Sequence, residues 1–311
     1  MEKVTILGHT NQDTDATCAA ICLEELLNKA KLFKAQAKIS EKPNNETKFI
    51  LKKFKIDKPA LFKKPTKKEK VFLVDFNEES QSPVEFKKVE IEGLVDHHKL
   101  DICFKKDYPV IFRVEPIGSS CSIVTKMFKD YGLKISKKTA SLLLCGILSD
   151  TLKFSSPTTT NEDKKLAKEL ADLAKINPNQ LAKEMFEAKS DLTGILPKDI
   201  ITTDYKEFKF GSKKTGIGVF ETVDVKPIFE MEQKIRKALS QKKSKDNLDL
   251  MFFGAVDILK NQTSLILIGK NEEETAKKTF QNFKVENAVM QMPGVVSRKK
   301  QLVPEFIKKI K

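Results

Sequence analysis

The chain has 311 residues, of which 40% are hydrophobic, and a formal net charge of +14 at pH 7. Its length favours two domains with separate cores, and no apolar run approaches the roughly 20 residues that a membrane span needs. The positive charge comes mainly from lysine; arginine, which base recognition and phosphate clamps favour, occurs only at positions 113, 236 and 298. We therefore expect a cytoplasmic protein whose partner is neither a membrane nor a nucleic acid.

Strand and helix patterns alternate in the first half of the chain. Apolar runs predict short strands at 4–7, 71–74 and 91–95. Helical spacing of apolar residues predicts helices at 14–29, 119–131 and 139–148, followed by a long helical stretch at 161–187. This alternation favours βαβ units, and therefore an α/β domain with a mainly parallel sheet flanked by helices.

The composition changes after residue 189, where a polar segment with Ser190 and Gly194 indicates a linker. Beyond it, strands are predicted at 215–223, 249–257 and 263–268, and helices at 228–239 and 273–283. The second half is therefore predicted to be a smaller α+β domain. The resulting division is a first domain at 1–189, a hinge linker at 190–195 and a second domain at 196–311.

All three histidines lie beside aspartates, in the motif GHTNQDTD that begins at Gly8 and in the motif DHH that begins at Asp96. His9, Asp75 and His97 each follow the end of a predicted strand. Because the carboxyl ends of parallel strands meet at one edge of a sheet, we expect these side chains to converge. Three more aspartates can join them from the first loop and from the end of a helix: Asp13, Asp15 and Asp150.

This set of side chains suits a pair of divalent metal ions. Four aspartates and two imidazoles are too many ligands for one tetrahedral zinc ion, and the charge of the four carboxylates matches two M²⁺ ions. Oxygen ligands with some imidazole favour Mn²⁺, and Co²⁺ or Fe²⁺ fits the same geometry. Two such ions activate a hydroxide and hold a phosphoryl group for in-line attack. For any single aspartate, the alternative is a role in a turn or a helix cap.

Several motifs resemble those of a known family, the family II (manganese-dependent) inorganic pyrophosphatases of the DHH phosphoesterase superfamily. In the first half these are GHTNQDTDA at 8–16, similar to GHxNPDTD; LVDFNE at 73–78, similar to LVDHNE; and VDHH at 95–98, similar to the DHH signature. Further along are EPIGSS at 115–120, GILSDT at 146–151 and GVVSRKKQ at 294–301, similar to EPxGS, GILSDT and SRKKQ. The chain departs from the pattern at Gln12, where proline is usual, and at Phe76, where many members have histidine.

The resemblance implies a DHH metal-binding domain followed by a DHHA2-type substrate-binding domain, with the active site between them. It implies one metal ion held by His9, Asp13 and Asp75, and another held by Asp15, Asp75, His97 and Asp150. Asp75 would bridge the two ions, and Asp96 would orient the histidines. His98 would face the substrate and donate a proton to the leaving phosphate. The residues that the resemblance implies for phosphate binding are Lys206, Arg298 and Lys299.

The activity implied is hydrolysis of inorganic pyrophosphate to two orthophosphates by a hydroxide that bridges two Mn²⁺ ions, with Mg²⁺ accompanying the substrate. A homodimer through the N-terminal domain is also implied. One alternative is a DHH-type phosphodiesterase or exonuclease acting on short oligonucleotides or cyclic dinucleotides, but the GGGH-type motif of those relatives is absent from the sequence. Another is a non-enzymatic scaffold, whose mark would be missing ligands, and every expected ligand is present. The sequence therefore predicts an inorganic pyrophosphatase.

Overall fold

The computed structural model describes residues 1–66, 68–101 and 107–309, except for the side chain of Lys300. The chain forms two compact units, Met1–Ala188 and Lys189–Lys311. In the described part of the chain, each unit contains one six-stranded sheet. No helix among these residues is both long and apolar enough to cross a membrane.

The first unit is a parallel sheet with helices packed against it. Its strands are β1 (Lys3–Leu7), β2 (Lys34–Ile39), β3 (Ala60–Leu61), β4 (Glu69–Val74), β5 (Val89–Asp96) and β6 (Ile111–Val114). Its helices are α1 (Thr14–Lys29), α2 (Asn45–Lys53), α3 (Ser120–Asp130), α4 (Lys137–Asp150), α5 (Asn161–Ala174) and α6 (Pro178–Lys189). Short 3₁₀ turns at Glu79–Gln81 and Phe86–Lys88 lie between β4 and β5.

The strand order of the first sheet is β3-β2-β1-β4-β5-β6, and the pairings are parallel. The chain therefore runs to one side of β1 and then returns to its other side. Leu7 pairs with Leu73, so β1 and β4 end at the same level of the sheet. The connections that leave these two ends diverge, and such a point of divergence is where open α/β sheets bind their ligands.

Helices α1 and α4 pack closely beside that point. Asp13 caps α1 by accepting a hydrogen bond from the Ala16 amide at 3.0 Å. Along α1, apolar side chains such as Leu23 are fully buried, because the helix packs against both the sheet and α4. At Gly146 of α4, an added Cβ atom would come within 2.6 Å of Asp15 Oδ1. The glycine therefore allows α4 to approach the end of α1 that carries Asp15.

An apolar cluster in the first unit joins β1 and β4 to the segment that follows β4. It contains Leu7 and Leu73 together with Phe76 and Phe86. Phe76 is 1% exposed. The phenylalanine that departs from the LVDHNE motif is therefore part of the hydrophobic core.

The second unit is built on a mixed sheet with the order β11-β12-β10-β9-β8-β7, in which only β8 and β9 are parallel neighbours among the described strands. Its strands are β7 (Asp204–Phe210), β8 (Lys213–Thr222), β9 (Leu250–Asp257), β10 (Gln262–Leu267), β11 (Val285–Glu286) and β12 (Val289–Pro293). Its helices are α7 (Pro197–Ile200), α8 (Lys226–Glu230), α9 (Glu232–Lys245), α10 (Lys270–Thr279) and α11 (Val303–Lys309), the last preceded by a π-helical turn at Arg298–Leu302.

Both faces of this second sheet are covered. Phe252 belongs to one apolar cluster, and its neighbours Met251 and Phe253 belong to another. Successive side chains of a strand point to opposite faces, so each face has its own core. The architecture confirms the predicted α/β class, with a parallel first sheet and a smaller second domain that carries its own sheet.

Two predicted helical stretches are interrupted. The stretch at 161–187 consists of α5 and α6, separated at Lys175, whose backbone is left-handed with φ of 59°. Pro178 then begins α6, because proline fits the first turn of a helix but not its interior. The stretch at 228–239 is also divided, into α8 and α9 at Met231, whose backbone is not left-handed (φ of −110°). The prediction of continuous helices was wrong at these two places.

The segment predicted as a linker lies at the start of the second unit. Thr222 Oγ1 donates a hydrogen bond to Ser190 Oγ at 2.9 Å. Leu192 belongs to the same apolar cluster as Phe253. Both Ser190 and Leu192 are buried, so packing within the second unit holds the first residues of this segment.

Candidate metal centre

His9 lies in the loop between β1 and α1. Its Nδ1 donates a hydrogen bond to the Thr10 carbonyl at 2.6 Å, which leaves Nε2 as the nitrogen able to bind another group. Nε2 lies 3.8 Å from Asp13 Oδ1 and 3.6 Å from Asp75 Oδ2. The ring is therefore oriented by the backbone, with its second nitrogen directed at two carboxylates.

Asp75 directly follows β4 in a left-handed conformation, with φ of 68°. Aspartate adopts this region more readily than most residues, and the amide of Asp75 is held by the Val95 carbonyl at 2.9 Å. The carboxylate is 2% exposed. Oδ2 faces His9, whereas Oδ1 lies 3.3 Å from His97 Nε2 and accepts a hydrogen bond from Ser120 at 2.8 Å. The two oxygens of this one side chain thus face two different imidazoles.

His97 follows the end of β5. Its Nδ1 donates to the Ile117 carbonyl at 3.0 Å. Its Nε2 lies 3.3 Å from Asp75 Oδ1 and 3.2 Å from Asp150 Oδ2. This nitrogen is buried, and it satisfies the geometry of a hydrogen bond with neither oxygen. A buried nitrogen left between two carboxylates is the arrangement expected where an ion completes the contacts.

Asp15, in the first turn of α1, is fully buried beneath the N-terminus of α3. Its Oδ1 accepts hydrogen bonds from Ser119 Oγ at 2.7 Å and from the Cys121 amide at 3.1 Å. Its Oδ2 accepts one from the Ser120 amide at 2.6 Å. Unpaired amides and the helix dipole favour a negative charge at this position. The serine segment that begins α3 therefore fixes the Asp15 carboxylate.

Asp96 is fully buried and orients the DHH segment. Its Oδ1 accepts hydrogen bonds from the amides of His97 and His98 at 2.8 and 3.1 Å, and from His98 Nδ1 at 2.9 Å. Its Oδ2 accepts one from Asn77 at 2.5 Å. The hydrogen bond that His98 donates to Asp96 raises the pKa of His98, whose side chain is 49% exposed. His98 is therefore held by one nitrogen while much of its ring reaches the surface.

Charges within the cluster shift its pKa values strongly. Burial alone would lower the pKa of His9, but the carboxylates of Asp13 and Asp75 raise it to about 11. Burial likewise opposes the charge on His97, whose pKa the carboxylates of Asp150 and Asp75 raise to about 12. Burial and mutual repulsion raise the pKa of Asp15 and of Asp150. Such a concentration of buried carboxylates needs positive charge, which protonated imidazoles or bound metal ions can supply.

The donor atoms fall into overlapping groups that can hold metal ions, each with ligand atoms within 4.8 Å of one another. Two of the groups share no residue: one is His9, Asp13 and Asp75, and the other is Asp15, His97 and Asp150. The remaining group links them: Asp75, His97 and His98. The structure thus brings together all six predicted ligand side chains. Their oxygen and imidazole donors, without thiolate, fit Mn²⁺ and similar divalent ions.

The predicted phosphate-binding residues lie in the second unit. Arg298 is 9% exposed and donates to Asp204, with Nη2 2.7 Å from Oδ1 and Nη1 2.6 Å from the carbonyl. Asp204 and Lys206 are two residues apart on β7, so their side chains leave the strand on the same face. Lys299 follows Arg298 in the π-helical turn and is exposed. The contact with Asp204 therefore brings Arg298 to the strand that carries Lys206.

Several contacts around the site were not assigned from the sequence. Ser120 and Asn77, which bind Asp75 and Asp96, lie within segments that resemble family motifs, so the motifs contained a signal for them. Glu46 contacts the neighbours of two predicted ligands, but it lies in a lysine-rich helix and no motif marks it. Only the fold reveals its place.

Comparisons with known proteins identify the two domains and the family of the chain. Residues 3–147 match the N-terminal domain of the DHH family, and residues 183–308 match the DHHA2 domain. The manganese-dependent inorganic pyrophosphatase of Bacillus subtilis (strain 168) is 38% identical over 305 residues, which are 98% of this chain and 97% of that protein. A Methanococcus jannaschii crystal structure, provisionally assigned as a family II inorganic pyrophosphatase, has a TM-score of 0.66 and 33% identity, with 99% of each chain covered. An exopolyphosphatase-related protein from Bacteroides fragilis, 15% identical with a TM-score of 0.51, covers 99% of this chain and 92% of its own, and shows likeness of fold alone.

Proposed function

The chain belongs to the family of manganese-dependent inorganic pyrophosphatases, and from that membership we propose that it hydrolyses inorganic pyrophosphate to two orthophosphates at a centre of two Mn²⁺ ions. The observation that carries the proposal is the position of Asp75. One of its oxygens faces His9 and the other faces His97, and these two histidines belong to different ligand groups. When bound by these residues, two metal ions would supply positive charge for phosphoryl oxygens and would lower the pKa of a water molecule that serves as the nucleophile.

The proposed ligand sets are those that the family resemblance implies. His9, Asp13 and Asp75 hold one ion, and Asp15, Asp75, His97 and Asp150 hold the other. Support comes from the backbone hydrogen bonds of His9 and His97, which leave Nε2 of each ring for a metal ion. The four aspartates carry a combined charge that two divalent ions neutralise.

His98 is the proposed general acid, donating a proton to the leaving phosphate. A general acid must hold its proton at the working pH. The hydrogen bond to Asp96 raises the pKa of His98 and fixes the ring through Nδ1, which leaves Nε2 as the donor. Asp96 thereby orients the acid without touching the substrate.

Lys206, Arg298 and Lys299 are the proposed phosphate ligands, with Mg²⁺ accompanying the substrate. Once the four aspartates balance two metal ions, a pyrophosphate with several negative charges needs further cations. Arginine offers a planar fork that matches phosphate oxygens, and lysine offers a compact charge. The support for these roles is the SRKKQ-like motif and the contact that ties Arg298 to the strand of Lys206.

A homodimer through the first unit is also proposed. Among the described strands, β6 stands at one edge of the first sheet. Phe112 on this strand and Tyr108 beside it are each 47% exposed. An unpaired edge with exposed aromatic rings favours pairing with another chain. Light scattering should give the mass of a dimer, and Phe112→Asp should give the mass of a monomer; a wild-type monomer would refute this part.

The test of the activity is phosphate release by Mn²⁺-loaded protein offered pyrophosphate with Mg²⁺, a short oligonucleotide and a cyclic dinucleotide in parallel. We expect fast release from pyrophosphate alone. Cleavage of either nucleotide with pyrophosphate untouched would overturn the substrate while leaving the metal centre in place.

A further inference from the structure

Glu46 is a buried carboxylate beside the metal centre that is not among the proposed ligands. It is the second residue of α2, whose N-terminus is capped by Asn44, and it is 1% exposed. A carboxylate in the first turn of a helix is stabilised by the helix dipole. Burial nevertheless costs a charged group its hydration, so its contacts must compensate for that loss.

Those contacts join two distant helices. Oε2 of Glu46 accepts a hydrogen bond from Thr14 Oγ1 at 2.8 Å and another from Ser149 Oγ at 2.7 Å. Thr14 is the first residue of α1, and Ser149 is the next-to-last residue of α4. Thr14 also lies 3.0 Å from Thr47 Oγ1, one residue beyond Glu46. A single oxygen therefore ties the start of α1 to the end of α4.

These two helix ends carry proposed ligands of the same metal ion. Thr14 stands next to Asp15, and Ser149 stands next to Asp150. Asp15 and Asp150 belong to one ligand group with His97. Their spacing depends on how closely α1 and α4 approach, and Gly146 already allows a close approach. Glu46 contacts both helix ends and therefore fixes the distance between them.

We propose that Glu46 is a positioning residue for the metal ion held by Asp15, His97 and Asp150, because its carboxylate holds the helix ends that carry both aspartates. The inference rests on the proposed two-metal function, but it concerns metal affinity and not the choice of substrate. Outer partners of metal ligands commonly change affinity by about 10- to 100-fold, and Glu46 acts one residue away from the ligands. We therefore expect an effect near the lower end of that range.

The test compares Glu46→Ala with Glu46→Gln by titrating metal-free full-length protein with Mn²⁺ against a fluorescent chelator. Alanine removes the acceptor of both hydroxyl groups, and we expect one of the two Mn²⁺ ions to bind about tenfold more weakly. Glutamine keeps an amide oxygen that can accept both hydrogen bonds, so it should restore most of the affinity. Wild-type affinity for both ions in Glu46→Ala would overturn the proposal.

Glu272→Ala is the matched control in the second unit. Glu272 is also 1% exposed and accepts hydrogen bonds from Lys243 and from the Met251 amide. Loss of this carboxylate should lower resistance to urea without weakening Mn²⁺ binding. If Glu272→Ala weakened Mn²⁺ binding as much as Glu46→Ala does, the effect would come from removing any buried carboxylate, and the inference would be refuted.

If Glu46→Ala does not fold, Ser149→Ala and Thr14→Val each remove one of the two hydrogen bonds and leave the carboxylate in place. Each should weaken the same Mn²⁺ ion several-fold, and unchanged affinity in both would refute the inference. Because no substrate is present in these titrations, their result is separate from the pyrophosphate assay. A wild-type chain that binds two Mn²⁺ ions but leaves pyrophosphate intact would refute the proposed function alone.

Discussion

The two units differ in how they accommodate buried acidic side chains. In the second unit, Asp257 and Glu272 are almost fully buried, and each is paired with a cation. Asp257 lies 3.0 Å from Lys260 Nζ, and Glu272 lies 2.6 Å from Lys243 Nζ. In that unit the fold itself supplies the positive charge that these carboxylates need.

In the first unit, Asp15, Asp75 and Asp96 are buried just as deeply. None of the three forms an ion pair with lysine or arginine in the part of the chain that the structure describes; their partners are histidines, hydroxyl groups, amides and an asparagine. Leaving buried carboxylates without a permanent cation is unfavourable unless a cation arrives from outside. Two of these three acids, Asp15 and Asp75, are proposed metal ligands, and the third, Asp96, holds the histidines through hydrogen bonds.

The largest effect is expected when the buried carboxylate of Asp75 is removed from the first unit. Asp75→Ala removes the carboxylate that faces both imidazoles, so activity should fall to background and Mn²⁺ binding should be lost or greatly reduced. Asp257→Asn is the matched change in the second unit and should retain Mn²⁺ binding and most activity. Atomic emission of dialysed protein and a phosphate assay measure both; an active Asp75→Ala variant would end the two-metal proposal.

Removing the metal should affect the two units unequally. If Mn²⁺ is held at about 100 times its dissociation constant, each bound ion stabilises the unit that holds it by about 2.7 kcal/mol. Hydrogen exchange followed by mass spectrometry, with and without a chelator, reports the two units separately. Chelation should speed exchange in Met1–Ala188 and leave exchange in Lys189–Lys311 nearly unchanged. Equal changes in both units would contradict the assignment of all ligands to the first.

Arg298→Ala should separate substrate binding from metal binding. Loss of a charge-assisted donor to a phosphoryl group should reduce kcat/KM by about 100-fold while two Mn²⁺ ions remain bound. Arg236→Ala is the matched control, because Arg236 donates to the backbone carbonyls of Leu267 and Ala288 and has no proposed contact with substrate. It should lower stability without a comparable change in kcat/KM. Loss of metal in Arg298→Ala would contradict the division of roles.

A smaller effect on stability is expected when one glycine in each sheet is replaced by alanine. In Gly93→Ala the new methyl group would collide with the ring of Phe72, and in Gly218→Ala it would lie 2.5 Å from the Ile201 carbonyl. Overpacking of this kind costs about 1–3 kcal/mol. By hydrogen exchange in urea, each variant should lose stability in its own unit only. The double variant Gly93→Ala with Phe72→Leu should recover part of the loss, and no recovery would argue against the ring contact.

The smallest effect is expected at Gln12. Its side chain is 6% exposed, and both polar atoms lack a hydrogen-bond partner among the described residues. Replacing a buried, unpaired amide by an apolar group of similar size removes a desolvation cost of about 1 kcal/mol. Gln12→Met should therefore raise the free energy of unfolding of the metal-free protein by about that amount in urea. A loss of stability would show that the amide has a partner such as a bound water molecule.

The success of the strand predictions depended on the apolar character and burial of each strand. β1, β4 and β5 are apolar runs and were predicted near their observed positions. β2 was missed because its sequence, KAQAKI, alternates polar residues with small alanines, and only the structure shows that the alternate residues are buried. β7 was missed because most of its side chains are exposed, so its place in the sheet comes from pairing with β8.

That the six proposed ligands lie together could be predicted because histidine is rare in this chain and each of the six lies in a short motif near a strand or helix end. The supporting contacts could not be found in that way. Glu46 meets Thr14 and Ser149 across separations of 32 and 103 residues. Glutamate, serine and threonine are common residue types, so no local pattern distinguishes these three from others, and only tertiary packing brings them together.

The position of the ligands along the chain also bears on the order of events during synthesis. All six lie between residues 9 and 150, within a unit that ends at Ala188 and has its own apolar core. At about 5–20 residues per second, the ribosome needs several seconds or more to make the remaining chain. The proposed metal centre is thus encoded early enough to acquire its ions before Arg298 has been translated, which would leave maturation of the metal site independent of the half that carries the proposed phosphate ligands.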